Sequence, residues 1–184
     1  SVKLIKGGFP SRYGGRLSSV IDIKMKEGNM KEFHGEGSIG LISSKLTLEG
    51  PIKKDKTSFL ISGRRTYIDL LARPIIRSAG DGNTAGYYFY DLNGKVNHKF
   101  SDKDRLYISA YLGDDKAYSS YEDSWTNNGE TSTDKESAQL KWGNTITAIR
   151  WNHMLSNKVF MNTTLRYSKY RFLVGADSEF TTTT

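Results

Sequence analysis

Three histidines, His34, His98 and His153, are the side chains of this 184-residue chain best suited to metal binding or acid–base chemistry. Each falls in a different predicted strand without a second ligand at metal-site spacing, so we interpret all three as polar residues of a sheet. The chain has no cysteine, which excludes disulfides, thiolate metal sites and a cysteine nucleophile. It also lacks a Gly-x-Ser-x-Gly elbow and a phosphate-binding Gly-Lys-Ser/Thr loop. The sequence therefore predicts a protein that is not an enzyme and has no metal or cofactor site.

The segment 114–136 is a second candidate for a functional site. It holds seven carboxylates and two lysines, with Tyr118, Tyr121 and Trp125 between them. Aromatic faces stack on sugars and carboxylates bind cations, so a ligand-contacting extracellular loop would use these three aromatic residues. The alternative, which we favour, is a hydrated loop whose aromatic residues lie at a membrane interface or against neighbouring loops.

Alternating apolar and polar residues predict the strands that position these candidates. Between Leu106 and Gly113, for example, Leu, Ile, Ala and Leu alternate with Tyr, Ser, Tyr and Gly. Several such runs exceed the roughly five or six residues of an ordinary globular strand. We expect a half-buried strand within 17–26 and then strands at 33–41, 45–52, 57–66, 87–100, 105–117, 137–154 and 158–173.

The connections between these strands are of two kinds. Short Asp/Asn-Lys turns are predicted at 53–56, 101–104 and 155–158. Long connections are predicted at 67–86, which includes a short amphipathic helix over 67–77 interrupted near Pro74, and at 114–136. Long strands with short turns at one end and long loops at the other are typical of an antiparallel outer-membrane barrel.

The distribution of charge bears on nucleic-acid binding. The net charge is +7, and residues 1–66 carry all of this excess, with 13 basic and 6 acidic side chains. Lys and Arg alternate there with apolar residues and do not form a basic helical face, which is the usual docking element on a duplex. We therefore predict that nucleic acid is not a partner.

One stretch resembles a known family. The run from Gly8 to Ile23 contains Arg12, Tyr13, Gly14, Gly15 and Arg16 and continues into Val-Ile-Asp-Ile. It is similar to the end of the plug domain in TonB-dependent outer-membrane receptors. The runs 35–38, 43–51 and 58–67 resemble the first barrel strands of the Bacteroidetes branch, the SusC-like and related receptors, so that the likeness covers residues 5–70.

The resemblance implies an all-β fold, an antiparallel up-and-down meander that is part of a 22-stranded transmembrane β-barrel. Residues 1–29 would be the C-terminal end of the plug domain, with its last strand, and residues 30–184 would be the N-terminal part of the barrel, about seven strands. The implied function is import of a nutrient, such as a glycan, a peptide or a metal chelate, across the Gram-negative outer membrane. The implied partners are TonB, acting through an N-terminal part of the receptor that this sequence lacks, a SusD-like surface lipoprotein and outer-membrane lipid.

A barrel strand would turn one side to lipid and the other to the lumen or plug. We expect Leu106, Ile108, Ala110, Leu112, Val159, Met161 and Leu165 to face lipid. We expect Tyr107, Ser109, Tyr111, Asn162, Thr164 and Arg166 to face the lumen. The alternative fold and function are those of a soluble extracellular β-sandwich that binds glycans, because such a fold also alternates and also uses hairpins.

Overall fold

A computed structural model of the chain describes residues 2–8, 10, 13, 18–79 and 83–183, with only the backbone of Arg77 and Ala79. These residues form two antiparallel sheets and one helix. The elements are β1 (Val2–Lys6), β2 (Ser19–Ile23), β3 (His34–Ile39), β4 (Ser43–Lys53), β5 (Thr57–Thr66), α1 (Ile68–Ala79), β6 (Thr84–Lys99), β7 (Asp104–Asn127), β8 (Glu130–Ser156) and β9 (Val159–Thr183).

The larger sheet is a meander in which β3 to β9 pair in chain order, each strand antiparallel to the next. This confirms the predicted all-β, antiparallel class. The described sheet is open, with β3 and β9 at its edges. The three predicted short turns are present, since residues 54–56, 100–103 and 157–158 join consecutive strands.

The prediction of a long loop at 114–136 is wrong. β7 and β8 run through this segment and pair as far as Asn127↔Glu130, leaving a two-residue turn at Asn128 and Gly129. Both turn residues have left-handed backbone angles, with φ of 51° and 89°. Asn-Gly is the preferred pair for such a tight hairpin turn, because Asn tolerates positive φ and Gly adopts it freely. The prediction gave too much weight to the polar composition of the segment and too little to its Thr, Tyr and Trp residues, which favour strands.

Two smaller predictions also need correction. The predicted interruption at Pro74 does not occur, because α1 continues through it to Ala79. Proline removes the bond to the carbonyl of Leu70, but both residues lie on the exposed side of the helix, where water can replace the missing donor. The N-terminal strand ends at Ile23 and pairs with β1, so Met25 and Lys26 lie outside it.

Of the five motif residues expected at the plug end, Arg12 to Arg16, the structure describes Tyr13. The Tyr13 hydroxyl donates a hydrogen bond to Asp22 Oδ2 at 3.2 Å, which ties the segment before β2 to that strand. Arg12, Gly14, Gly15 and Arg16 lie outside the described residues.

The buried residues of this fold are mainly polar. Among the described residues, the buried apolar side chains are Leu60 and Tyr107. The buried polar or charged side chains are Glu49, Ser58, Thr66, Asp69 and Asn97. A water-soluble domain of this length ordinarily encloses an aliphatic and aromatic core, so the large sheet has the reverse arrangement.

The two-residue turn can be tested by substitution. We expect Gly129→Val to destabilise the β7–β8 hairpin by about 1–2 kcal/mol, because a β-branched residue is strained at positive φ. Asn128→Gly is the matched control and should be neutral. Amide hydrogen exchange at Thr126 and Thr131 is the measurement, with roughly tenfold faster exchange expected in the valine variant. Fast exchange at these amides in the unsubstituted chain would instead indicate a loop.

Candidate functional site

The exposed side of the large sheet, here called the outer face, carries a continuous band of apolar residues. Cross-strand pairs build it, including Leu92↔Leu112 and Ile108↔Ile149, and the latter residue also pairs with Leu165. We call the set of exposed residues Leu46, Leu48, Ile61, Leu92, Ile108, Leu112, Ile149 and Leu165 the apolar band. Their exposed fractions of 42–70% are unusual for eight large aliphatic side chains on one surface.

The opposite side, the inner face, is polar. It carries Ser58, Ser62, Arg64, Asp91, Asn93, Lys95, Asn97, Ser109, Asn144, Arg150 and Asn152, as the strand register requires. The two sets of residues that were expected to face lipid and lumen fall on the outer and inner faces, respectively. The sheet therefore has an apolar outer face and a polar inner face.

Residues 24–31, here called the inner segment, cross part of the inner face. The Ser58 hydroxyl donates to the Gly28 carbonyl at 2.6 Å, and Asn97 Nδ2 donates to Ser58 Oγ at 2.5 Å. Ser58 and Asn97 are almost completely buried, so these bonds satisfy the Ser58 hydroxyl and the Asn97 Nδ2 group, which water does not reach. Glycine is required at position 28 because a Cβ there would overlap the Phe59 backbone.

Charges fix the inner segment at two further points. Glu27 Oε1 lies 3.7 Å from Lys95 Nζ and 3.6 Å from Arg150 Nη2. Both cations also lie over the Tyr107 ring, at 5.6 Å and 4.2 Å from its centroid. Lys26 Nζ pairs with the buried Glu49 at 2.5 Å. The segment is thus held by hydrogen bonds and ion pairs, which water can exchange more readily than apolar packing.

Beyond the apolar band, the inner face carries an aromatic cluster. Tyr87 stacks on Trp142 with ring centroids 6.2 Å apart, and Phe89 lies 6.1 Å from Tyr87. Trp142 pairs across the strands with Phe172, whose ring stacks on Tyr170 at 6.4 Å. We call these five residues the inner aromatic cluster. The sequence did not predict this cluster because its members come from three different strands, β6, β8 and β9. Only the register between these strands brings the five residues together.

An acidic side chain lies within the inner aromatic cluster. The Tyr87 hydroxyl donates to Asp115 Oδ1 at 2.7 Å. Burial of the ring, and then this hydrogen bond, raises the pKa of Tyr87 to about 12. Tyr87 therefore stays a hydrogen-bond donor at any physiological pH. Aromatic rings beside a carboxylate are suited to a neutral polyhydroxylated ligand.

The three aromatic residues singled out in the sequence do not form one site. Tyr118 lies on the outer face, where its hydroxyl accepts from Arg73 Nη2 at 2.8 Å. This hydrogen bond raises the pKa of the Arg73 guanidinium above its usual value. Tyr121 and Trp125 lie on the inner face, and Trp125 packs against Phe180 at 6.0 Å. All three belong to β7 and not to a loop.

The histidines have separate surroundings. His98 Nδ1 is hydrogen-bonded to Thr57 Oγ1 at 2.7 Å, His153 contacts Asp104, and His34 lies 3.9 Å from Glu32. In the described part of the chain, no three His, Asp or Glu side chains come close enough together to hold a metal ion.

Comparison with known proteins gives no relative. The chain matches no family model, no curated protein and no solved structure. Among the described residues, no helix combines the length and apolarity needed to cross a membrane.

The inner segment gives a testable prediction at Gly28. In Gly28→Ala the added methyl overlaps the Phe59 backbone, so the segment should shift and lose its bond to Ser58, at a cost of about 1–3 kcal/mol. Trypsin should then cleave at Lys24 or Lys31 about tenfold faster or more. Gly94→Ala is the control, because a Cβ at position 94 meets no atom within 4 Å. Equal cleavage of the two variants would contradict the arrangement.

Proposed function

We propose that these residues are the beginning of the barrel and the end of the plug of a TonB-dependent transporter in a Gram-negative outer membrane. Residues 1–29 would end the plug, and residues 30–184 would supply about seven strands of a 22-stranded barrel of the SusC-like branch. The observation that carries the proposal is the inverted polarity of the sheet, with its apolar band exposed and its inner face polar and partly covered by the inner segment.

Whether a sheet with this distribution of apolar and polar residues is stable depends on whether water or lipid surrounds its outer face. In water, eight exposed aliphatic side chains on one surface would drive aggregation. In a bilayer the same residues lie against lipid, while polar residues line a hydrated interior. On β6, Tyr90 and His98 flank the apolar stretch of the outer face and lie about 27 Å apart along the strand. With a strand tilt of about 40°, this gives an apolar height of about 20 Å, close to the roughly 25 Å of outer-membrane barrels.

The open edges of the sheet support further strands in the proposed barrel. An unpaired backbone N–H or C=O in hydrocarbon costs several kcal/mol, so spanning strands must all be paired. β3 and β9 each lack one neighbour among the described residues. In this proposal, the remaining strands of the barrel pair with these two edges and close the sheet.

The inner segment occupies the position that a plug end would take in the proposed barrel. Its contacts with Ser58, Lys95 and Arg150 join residues before β3 to the inner face of three strands. TonB, acting through the N-terminal part of the receptor, would pull on this connection and replace its polar contacts by water. The nutrient would be a glycan, a peptide or a metal chelate, with a SusD-like lipoprotein as the surface partner.

The inner aromatic cluster favours glycans as the nutrient. It also supports a second candidate function. A soluble extracellular glycan-binding module would use such stacked rings as well. That alternative requires another sheet to cover the apolar band, because a β-sandwich buries its apolar face between two sheets.

The membrane placement is tested by paired arginine substitutions in the complete receptor. Ile108→Arg puts a charge in the apolar band and should cost about 2–4 kcal/mol near the bilayer midplane. Ser109→Arg, on the inner face, should leave folding intact and mainly alter transport. Heat-modifiable migration of the outer-membrane protein reports folding. Equal folding of the two variants, or greater damage from Ser109→Arg, would contradict the assignment of the faces.

A further inference from the structure

Basic side chains gather on the outer face at the border of the apolar band and just beyond it. Within the register of the sheet, Arg65 and Arg171 share a row with Tyr90 and Asp114, and the next row contains Lys116 and Lys141. Helix α1 adds Arg73 through its bond to Tyr118, and β9 adds Lys169, which lies in the same row as Leu112 at the border of the apolar band. We call the set Arg65, Arg73, Lys116, Lys141, Lys169 and Arg171 the basic belt.

The basic belt has few internal counter-charges. Asp114 accepts hydrogen bonds from Arg171 at 3.1 Å and from Tyr90 at 2.8 Å, so its carboxylate is already engaged. In the described part of the chain, neither Lys116 nor Lys141 lies within 4.0 Å of a carboxylate. The belt therefore presents more positive charge than its own side chains neutralise.

Lys116 and Lys141 stand directly opposite each other on β7 and β8. Opposed residues on neighbouring strands have Cβ atoms about 5 Å apart, and like charges in this arrangement destabilise a sheet. An anion between the two ammonium groups would remove the repulsion. Lys116 and Lys141 are opposed and have no carboxylate partner among the residues that the structure describes, which indicates an anionic ligand between them.

Helix α1 shows which kind of anion fits. Its polar side packs towards β6 and β7, where Asp69 is 3% exposed and Arg73 reaches Tyr118 on the outer face. Its aliphatic side, with Ile68, Leu71 and Ile75, is exposed. A helix that exposes aliphatic residues beside cationic groups has the character of an element lying in a membrane interface. Free phosphate makes no apolar contact with this aliphatic surface. A lipid contacts it with acyl chains and binds the cationic groups with its headgroup.

We propose that the basic belt binds the phosphate groups of anionic lipids in the leaflet that borders this end of the apolar band, with the exposed side of α1 among the acyl chains. The inference rests on the proposed membrane placement of the sheet. Lys116 and Lys141 share one phosphate as point charges, and the Arg65 guanidinium, which lies 5.9 Å from the Tyr88 ring centroid, offers a planar fork to a second.

The test uses the complete receptor reconstituted in bilayers that contain phosphatidylglycerol and phosphatidylcholine. Native mass spectrometry measures how much phosphatidylglycerol remains bound after extraction. The double variant Lys116→Gln/Lys141→Gln should bind it about 30-fold more weakly, since each lysine near a charged leaflet contributes about fivefold. Arg65→Gln alone should give about fivefold. The control Lys45→Gln/Lys135→Gln removes two charges from the inner face and the distant hairpin, and it should bind like the unsubstituted receptor.

The other outcomes separate the two proposals. Equal lipid retention by the double variant and its control, in receptors that fold and insert, would overturn the basic belt as a lipid site and leave the transporter proposal standing. Protection of detergent-solubilised receptor by inorganic phosphate, without any preference for phosphatidylglycerol, would overturn the lipid assignment. Failure of the unsubstituted receptor to insert into bilayers would overturn both.

Discussion

Successive side chains of a β-strand turn to opposite sides of its sheet, and everything else in this structure depends on that alternation. Across seven strands it collects aliphatic residues on one face and amides, hydroxyls and charges on the other. A shift of one residue in any register would exchange the two faces for that strand. The inner face is polar, so hydrogen bonds such as Ser58 to Gly28 hold the inner segment against it in place of the usual apolar core.

The chemistry on each face follows from this division. The inner face holds a connecting segment through Glu27 and places stacked aromatic rings farther along the same strands. The outer face passes from the apolar band to the basic belt within four residues on β7, from Leu112 to Lys116, and on β9, from Leu165 to Lys169. Hydrocarbon is followed by phosphate headgroups in a leaflet, so in the proposed membrane placement the apolar band and the basic belt would match these two layers. The outward aliphatic side of α1 continues the same order beside β6.

The strands, the short turns and the two faces could be predicted from sequence because they depend on local patterns. Alternation from Leu106 to Gly113 and the Asp-Lys turns each involve neighbours in the chain. The β7–β8 hairpin was missed because acidic and hydroxyl residues suggested a loop, although Asn128-Gly129 is a hairpin signal. The inner aromatic cluster and the Lys116–Lys141 pair could not be predicted, since they arise only when distant strands take a specific register.

Site-directed nitroxide labelling along β7 tests the central claim most directly. Single cysteines from Leu106 to Gly113 would be introduced into the protein in bilayers, and the accessibility of each label to oxygen, which concentrates in lipid, would be measured. We expect high values at Leu106, Ile108, Ala110 and Leu112, and low values at the four intervening positions. Uniform accessibility, or the opposite alternation, would contradict the account in which the exposed apolar face meets lipid and the polar face is the interior.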